Sequence, residues 1–254
     1  MLQKTETKAV RKSEILTSLI CPSKTYMKTC NKTCDLQKCL MCQIIIPEWK
    51  PALDRHRQNF SIKKGESIIK EGDIVNGIYF VFSGKLKIHK KWGSKDLIVR
   101  FASEGAIIGH RGLSTKIDTF PISATALEPS VVCFLELDFF LSTLKVNPNF
   151  AYRLMLFFAD ELQESEKRMR DLALKSVKAR LADALLQLSQ LFGLDENLCI
   201  NIDLSRNDLA SFTGATYETV FRTMNELVQE NLISLHEKKI QITNTDRLQA
   251  LTKE

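Results

Sequence analysis

The chain has 254 residues, 44% of them hydrophobic and 26% charged, the make-up of an ordinary globular protein with room for two modest domains. No run is long and apolar enough to span a bilayer, and the first twenty residues lack the uninterrupted apolar core of a signal peptide, so a cytoplasmic protein is expected. A formal net charge of +6 suits a polyanionic partner, although basicity serves solubility equally well.

Residues 1–43 read as a Cys-rich N-terminal segment whose first twenty residues, polar and basic, are expected to be mobile. Seven cysteines, an odd number in a reducing compartment, argue for thiols or metal ligands over a disulfide framework. Cys30, Cys34, Cys39 and Cys42 are separated by three, four and two residues. Such crowding asks for a soft metal, because neighbouring thiolates are stabilised by sharing a cation. Zinc would take four thiolates, typically from two short pairs such as Cys39-Leu-Met-Cys42. An iron-sulfur cluster would take three close together and a fourth from elsewhere in the fold. Cys21 and Cys199 are isolated and read as structural.

Residues 44–145 change character. Eight of the ten glycines lie between Gly65 and Gly112, punctuating short β-rich runs such as IYFVF, KLKIHKKW and DLIVRF. Frequent turns between short strands indicate an antiparallel barrel or sandwich. A metal enzyme on such a barrel needs several histidines and a carboxylate around one ion. Only His89 and His110 lie in the barrel stretch from Phe60 to about Leu137, without clustered spacing, and they read as surface or hydrogen-bonded side chains. No nucleophile-base constellation is present, so no enzyme is expected. Cys133, between Val132 and Phe134, reads on its own as a small buried hydrophobe.

Residues 146–175 carry a long helical pattern. Ala151, Met155, Phe158, Leu162, Ser165, Met169 and Leu172 alternate four and three apart, close to the coiled-coil period, with Glu161, Glu164, Lys167, Arg168 and Arg170 beside them. This seam could pack on the barrel, but the flanking charges are those of a solvent-bounded dimer helix, and from Met155 to Leu172 it is the expected dimer interface. In residues 176–254, Val177, Leu181, Leu185 and Leu188 mark a further helix ending near Gly193, and LCINIDL is expected as a strand. Ser205 with Asp208 has the form of a capping box, and Gly214 supplies the permissive backbone of a sharp turn. A second helix opens at Thr216 and buries Val220, Met224, Leu227 and Val228. Its polar face carries Glu218, Arg222, Asn225 and Gln229, with Tyr217, Thr219 and Phe221 nearby. A hairpin follows whose tip holds Lys238 and Lys239, cations suited to phosphate. Helix, turn, helix and basic hairpin in this order is a winged helix-turn-helix, giving an α+β chain overall.

The helix-turn-helix with TYETVFR resembles the C-terminal domain of the Crp/Fnr family of bacterial regulators. KKGESIIKEGDIVNGIYFVFSGKLKI resembles the opening of a cyclic-nucleotide-binding jelly roll. The resemblance implies an N-terminal jelly-roll sensor, a long dimerisation helix and a homodimer reading a palindromic operator in double-stranded DNA, with RNA polymerase as a further partner. It gives Glu218 and Arg222 the base-reading roles; Phe221 stands where the Fnr branch often has Ser. It also implies a [4Fe-4S] cluster on N-terminal cysteines and one sensor-domain cysteine, here Cys39, Cys42 and Cys133 with Cys34 as fourth ligand and Cys30 in reserve; zinc is the alternative. The N-terminal spacing differs from the two-then-five pattern of the enteric Fnr proteins. Cyclic-nucleotide binding is not expected, since His110 follows Gly109 where the family has Glu, and Ile122 stands before Ser123-Ala124 where it has Arg. Arg111 is the one cation that could substitute.

Overall fold

A computed structural model describes residues 28–30, 39–93 and 95–253 of the chain. Cys21, Cys34 and the basic segment 1–20 lie outside the described residues. The elements run β1 (Lys28–Thr29), α1 (Leu40–Ile44), α2 (Lys50–His56), β2 (Gln58–Ile62), β3 (Ser67–Ile69), β4 (Gly77–Ser83), β5 (Leu86–Trp92), β6 (Lys95–Ala102), β7 (Ile107–Ile108), β8 (Ser123–Ala126) and β9 (Ser130–Glu136). Then come α3 (Leu137–Val146), α4 (Pro148–Leu174), α5 (Val177–Phe192), α6 (Arg206–Thr213), α7 (Tyr217–Gln229), β10 (Ile233–His236), β11 (Lys239–Ile242) and α8 (Thr245–Leu251).

The strands of the N-terminal half form two facing antiparallel sheets, β1-β2-β9-β4-β7 and β3-β8-β5-β6: the glycine-punctuated runs predict an antiparallel barrel or sandwich, and the family resemblance implies this jelly roll. In the first sheet β4 and β9 are buried on both faces. Tyr79, Val81, Val132 and Phe134 point into the barrel, whereas Ile78, Phe80, Cys133 and Leu135 point outward under α1, α3 and α4. Two-sided burial explains why both strands read as unbroken apolar runs, with about 1.5–3 kcal/mol from each large side chain removed from water. Gly77 opens β4 where the chain passes against the carbonyl of Leu135 and the ring of Phe134, leaving no room for a side chain.

Asn147 ends α3 and caps α4, its side chain accepting from Phe150 N–H (3.1 Å) and donating to the Ile44 carbonyl (3.2 Å). The 27-residue α4 then leads from the barrel to the DNA-binding half. There Ser176, Ser205 and Thr216 each cap a helix through their hydroxyls, and Gly214 turns α6 into α7 in the left-handed conformation (φ +65°). The segment 198–204, expected as a strand, makes only the isolated bridges Leu194↔Ile200 and Cys199↔Gln241. Ile202 N–H bonds back to the Ile200 carbonyl (2.7 Å), a three-residue turn that stops a ladder from extending. No helix among the described residues is long and apolar enough to cross a membrane.

Candidate functional site

The polar face of α7 is open to solvent. Buried Val220, Met224 and Leu227 fix the helix on its core, which leaves Glu218, Arg222 and Asn225 exposed on the opposite side. Arg222 is 75% exposed and its Nε lies 4.0 Å from Glu226 Oε1, a loose i,i+4 pair that a ligand can displace. Tyr217 and Phe221 stack at 6.2 Å and are about half exposed, an apolar step beside the polar one. Ser205 and Thr216, which stand at the helix starts their spacing predicts, spend their hydroxyls on helix caps. Thr219 Oγ1 lies 3.0 Å from Thr216 Oγ1.

The wing is the two-stranded β10–β11 hairpin, with Ile233↔Ile242 and His236↔Lys239 in register. Glu237 takes the left-handed conformation at its tip (φ 55°), and Lys238 is exposed beside it. Lys239, read from the sequence as a phosphate ligand, donates to Asp195 instead. That contact raises the Lys239 ammonium above its ordinary value and lowers the Asp195 carboxyl, so Lys238 is the tip cation left for phosphate.

Along α4 the expected seam divides into two rows, and only one of them leaves its large apolar side chains exposed. Met155, Leu162 and Met169, seven apart, are 57%, 60% and 68% accessible. The other row turns toward its own chain: Phe158 packs beside His110, and Leu172 fills the space over Gly214. Ser165 donates to the Glu161 carbonyl one turn back.

Between α4 and the barrel lies an ionic cluster that sequence reasoning missed, because Glu161 is 50 to 61 residues from its barrel partners Arg111, His110 and Arg100. Glu161 accepts from Arg111 (2.6 Å) and lies 3.7 Å from Arg100 Nε and 3.5 Å from His110 Nε2. Burial alone would raise the Glu161 carboxyl, but His110, Arg100 and Arg111 together bring it down to about 2. His110 is 1% exposed, and burial pushes its imidazole below the usual value. His89 is likewise buried and lowered, its Nε2 2.9 Å from Thr125 Oγ1. Neither histidine is the surface residue that one sequence reading allowed. Where a cyclic nucleotide would need a cation, Arg111 is committed to Glu161 and Ile122 is buried; Ser123 Oγ already accepts from Glu71 N–H (2.9 Å).

Two turns further on, Arg168 ties three elements together. Its guanidinium donates to the Val99 and Ile98 carbonyls of β6 (3.0 and 2.6 Å) and to the Phe212 carbonyl of α6 (2.6 Å), and lies over the Phe212 ring. Burial lowers its pKa to about 10. Ser211 of α6 docks on the same strand, accepting from Ile98 N–H and donating to the Asp96 carbonyl. Beside this joint lies a cavity of about 600 Å³ lined by Val99, Glu161, Arg168, Leu188 and Phe212 among others.

At the other end, Cys39, Cys42 and Cys133 share the layer beneath α1 and α4. The strand alternation of β9 aims Cys133 at that layer, and Cys39 sits at the head of α1. Cys42 draws the Cys39 thiol down by hydrogen bonding, against the opposing effect of burial. Cys30 N–H donates to the Asn59 carbonyl (2.9 Å), and Asn59 pairs with Cys133 across β2–β9, so Cys30 joins the same side two strands away, roughly 10 Å off. As donors the thiols suit a soft metal, yet among the described residues no group of three or more His, Cys, Asp or Glu side chains stands at metal-holding geometry.

A jelly-roll sensor joined by one long helix to a winged helix-turn-helix with an open polar recognition face defines a DNA-binding transcription regulator. Residues 59–147 match the cyclic nucleotide-binding domain and residues 179–251 the Crp-like helix-turn-helix domain. The transcriptional activator protein FnrA of Stutzerimonas stutzeri is 26% identical over 225 residues, 87% of this chain and 91% of that protein. The anaerobic regulatory protein of Bacillus subtilis is 29% identical over 179 residues, 69% of this chain and 75% of that one. The solved structure of FixK2 from Bradyrhizobium japonicum has the same fold, with a TM-score of 0.68 at 24% identity over 77% of this chain and 96% of that one. The chain belongs to the Crp/Fnr family of transcription regulators, which are not enzymes.

Proposed function

We propose that the chain acts in the cytoplasm as a homodimer on a palindromic operator and responds to redox conditions through its N-terminal thiols. The two protomers meet along Met155, Leu162 and Met169, whose heptad spacing and exposure support a two-fold seam. Dimerisation sets the two α7 helices about one turn of DNA apart, roughly 34 Å. Arg222 donates to a guanine, Glu218 accepts from a cytosine amine, and Tyr217 and Phe221 offer apolar contact to a thymine methyl. Lys238 holds a phosphate. RNA polymerase is the next partner once the operator is occupied.

The observation that carries the redox reading is the convergence of Cys39, Cys42 and Cys133 from sequence positions more than 90 residues apart in one buried layer. Cys34 is the fourth ligand, with Cys30 in reserve. A [4Fe-4S] cluster bound there would supply an oxygen-labile link between the N-terminal segment and β9; zinc on the same thiolates would supply a structural one. This chain offers a route outward. Cys39 heads α1, the Ile44 carbonyl at its other end accepts from Asn147, and Asn147 caps α4. Rearranging α1 therefore shifts the start of the dimer helix, and Arg168 further along couples that helix to α6. The name of the Bacillus subtilis relative, an anaerobic regulatory protein, supports this reading.

The test is the absorbance spectrum and metal content of protein purified without oxygen and then exposed to air, with DNA binding followed throughout. A broad visible band with about four irons per chain, lost in air together with DNA affinity, is expected. Zinc or no metal, with binding indifferent to air and to Cys39→Ser, would refute redox sensing. It would also favour a second reading, a small-molecule effector in the 600 Å³ cavity at the Arg168 joint. The commitment of Arg111 to Glu161 argues against a cyclic nucleotide in either case.

A further inference from the structure

The β5–β6 hairpin ends in a tip that the sensor fold does not need. Between Lys85 and Asp96 there are five lysines and one acidic residue. Trp92 is 89% exposed, the most accessible of the large apolar side chains among the described residues, and pairs across the strands with Lys95. Lys90, Lys91 and Lys95 are exposed, and among the described residues the ion pairs of the 85–96 stretch are made by other groups: Lys85 with Glu128 (3.3 Å), Lys87 with Asp208 (2.5 Å) and His89 with Asp96 (3.8 Å). A lone exposed tryptophan in a soluble domain is common enough, but one set among unpaired cations is an amphipathic surface without an occupant.

Its position suggests the occupant. The tip faces the helix-turn-helix across an open cleft of about 1170 Å³, in which Trp92, Lys91 and Lys95 stand on one side and Thr216 and Tyr217, the start of α7, on the other. Three acidic groups line that cleft: Asp208, held by Lys87 and Ser205; Glu71, which accepts from the Lys91 amide (3.1 Å); and Asp96, 3.8 Å from His89. The basic tip thus continues the surface on which α7 presents its N-terminal end. We infer that the sensor hairpin is a second DNA contact, in which Lys90, Lys91 and Lys95 hold backbone phosphates flanking the half-site and Trp92 lies against the adjoining sugar edge. This rests on the reading that α7 binds the half-site, and it assigns the sensor domain a direct share of DNA affinity. Phosphate contacts of this kind add affinity and salt dependence without adding base preference.

The experiment uses an operator selected by the full-length protein from random duplexes. It is prepared both as the two half-sites alone and with about one further helical turn, ~10 bp, at each end. Wild type is expected to bind the long duplex more tightly. The Lys90→Gln/Lys91→Gln/Lys95→Gln protein should bind both lengths alike, with the salt slope on the long duplex reduced by about 0.9 for each lysine engaged. Tryptophan emission should be quenched by the long duplex only, and Trp92→Phe should abolish the quench. Equal affinities and slopes for wild type and triple variant on the long duplex would overturn the inference while leaving α7 as the reading helix. So would a loss of the same size on both lengths. Failure of wild type to select or bind any duplex would instead remove the α7 reading, and this inference with it.

Discussion

Replacing Glu161 with Gln keeps the shape of the side chain and removes the one negative charge that faces Arg100, His110 and Arg111. The carboxylate is 18% exposed, so water does little to screen the two guanidiniums it leaves behind. Its pKa falls from 4.5 to about 2 on folding. At about 1.4 kcal/mol per unit, that depression corresponds to roughly 3 kcal/mol of stabilisation. Because the folded value lies below the unfolded one, this contribution is complete above about pH 5 and is lost as the pH falls toward 2. Urea unfolding of wild type and Glu161→Gln at equal protein concentration should therefore differ by about 2–3 kcal/mol at pH 7, and by less than half of that near pH 3. A difference under about 0.5 kcal/mol at neutral pH, or one that does not shrink on acidification, would refute the view that Glu161 anchors α4 to the barrel electrostatically.

Two further outcomes follow from the same packing. Burial lowers both His89 and His110, so the unfolded chain binds their protons more readily, and stability should drop as the pH falls below the ordinary histidine value of about 6.5. Thermal melts across that range should show the slope, and His89→Gln/His110→Gln should flatten it; a slope unchanged in the double variant would contradict neutral burial. Leu162→Glu places a charge at the middle of the exposed heptad row and should convert a dimer to monomer in sedimentation while the monomer stays folded. A dimer of unchanged affinity would move the interface off α4.

Local chemistry made the DNA-binding half legible in the sequence. Ser205, Gly214 and Thr216 announce caps and a turn through side-chain and backbone preferences that act within a few residues, and each stands where the spacing puts it. The glycine-punctuated runs indicate an antiparallel barrel or sandwich for the same reason, and the resemblance narrows it to the jelly roll. What stayed hidden depends on contacts made at long range. Periodicity marks both rows of α4 as apolar but cannot say that Phe158 and Leu172 face their own chain. Glu161 and Arg168 look like ordinary flanking charges until the barrel supplies Arg100, His110 and the β6 carbonyls. Lys239 looks like a phosphate ligand until Asp195, 44 residues earlier, takes it. Cys133 gave no local signal beyond a small hydrophobe; the two-sided burial of β9 aims it at Cys39.

The most direct test of the account is the binding of Arg222→Ala to the selected operator and to random duplex, measured side by side at one salt concentration. Loss of about 1–3 kcal/mol on the operator, with random-sequence affinity nearly unchanged and the preference relaxed at one base pair per half-site, is the predicted result. Equal losses on both DNAs would reduce Arg222 to a phosphate contact and contradict the assignment of α7 as the helix that reads sequence.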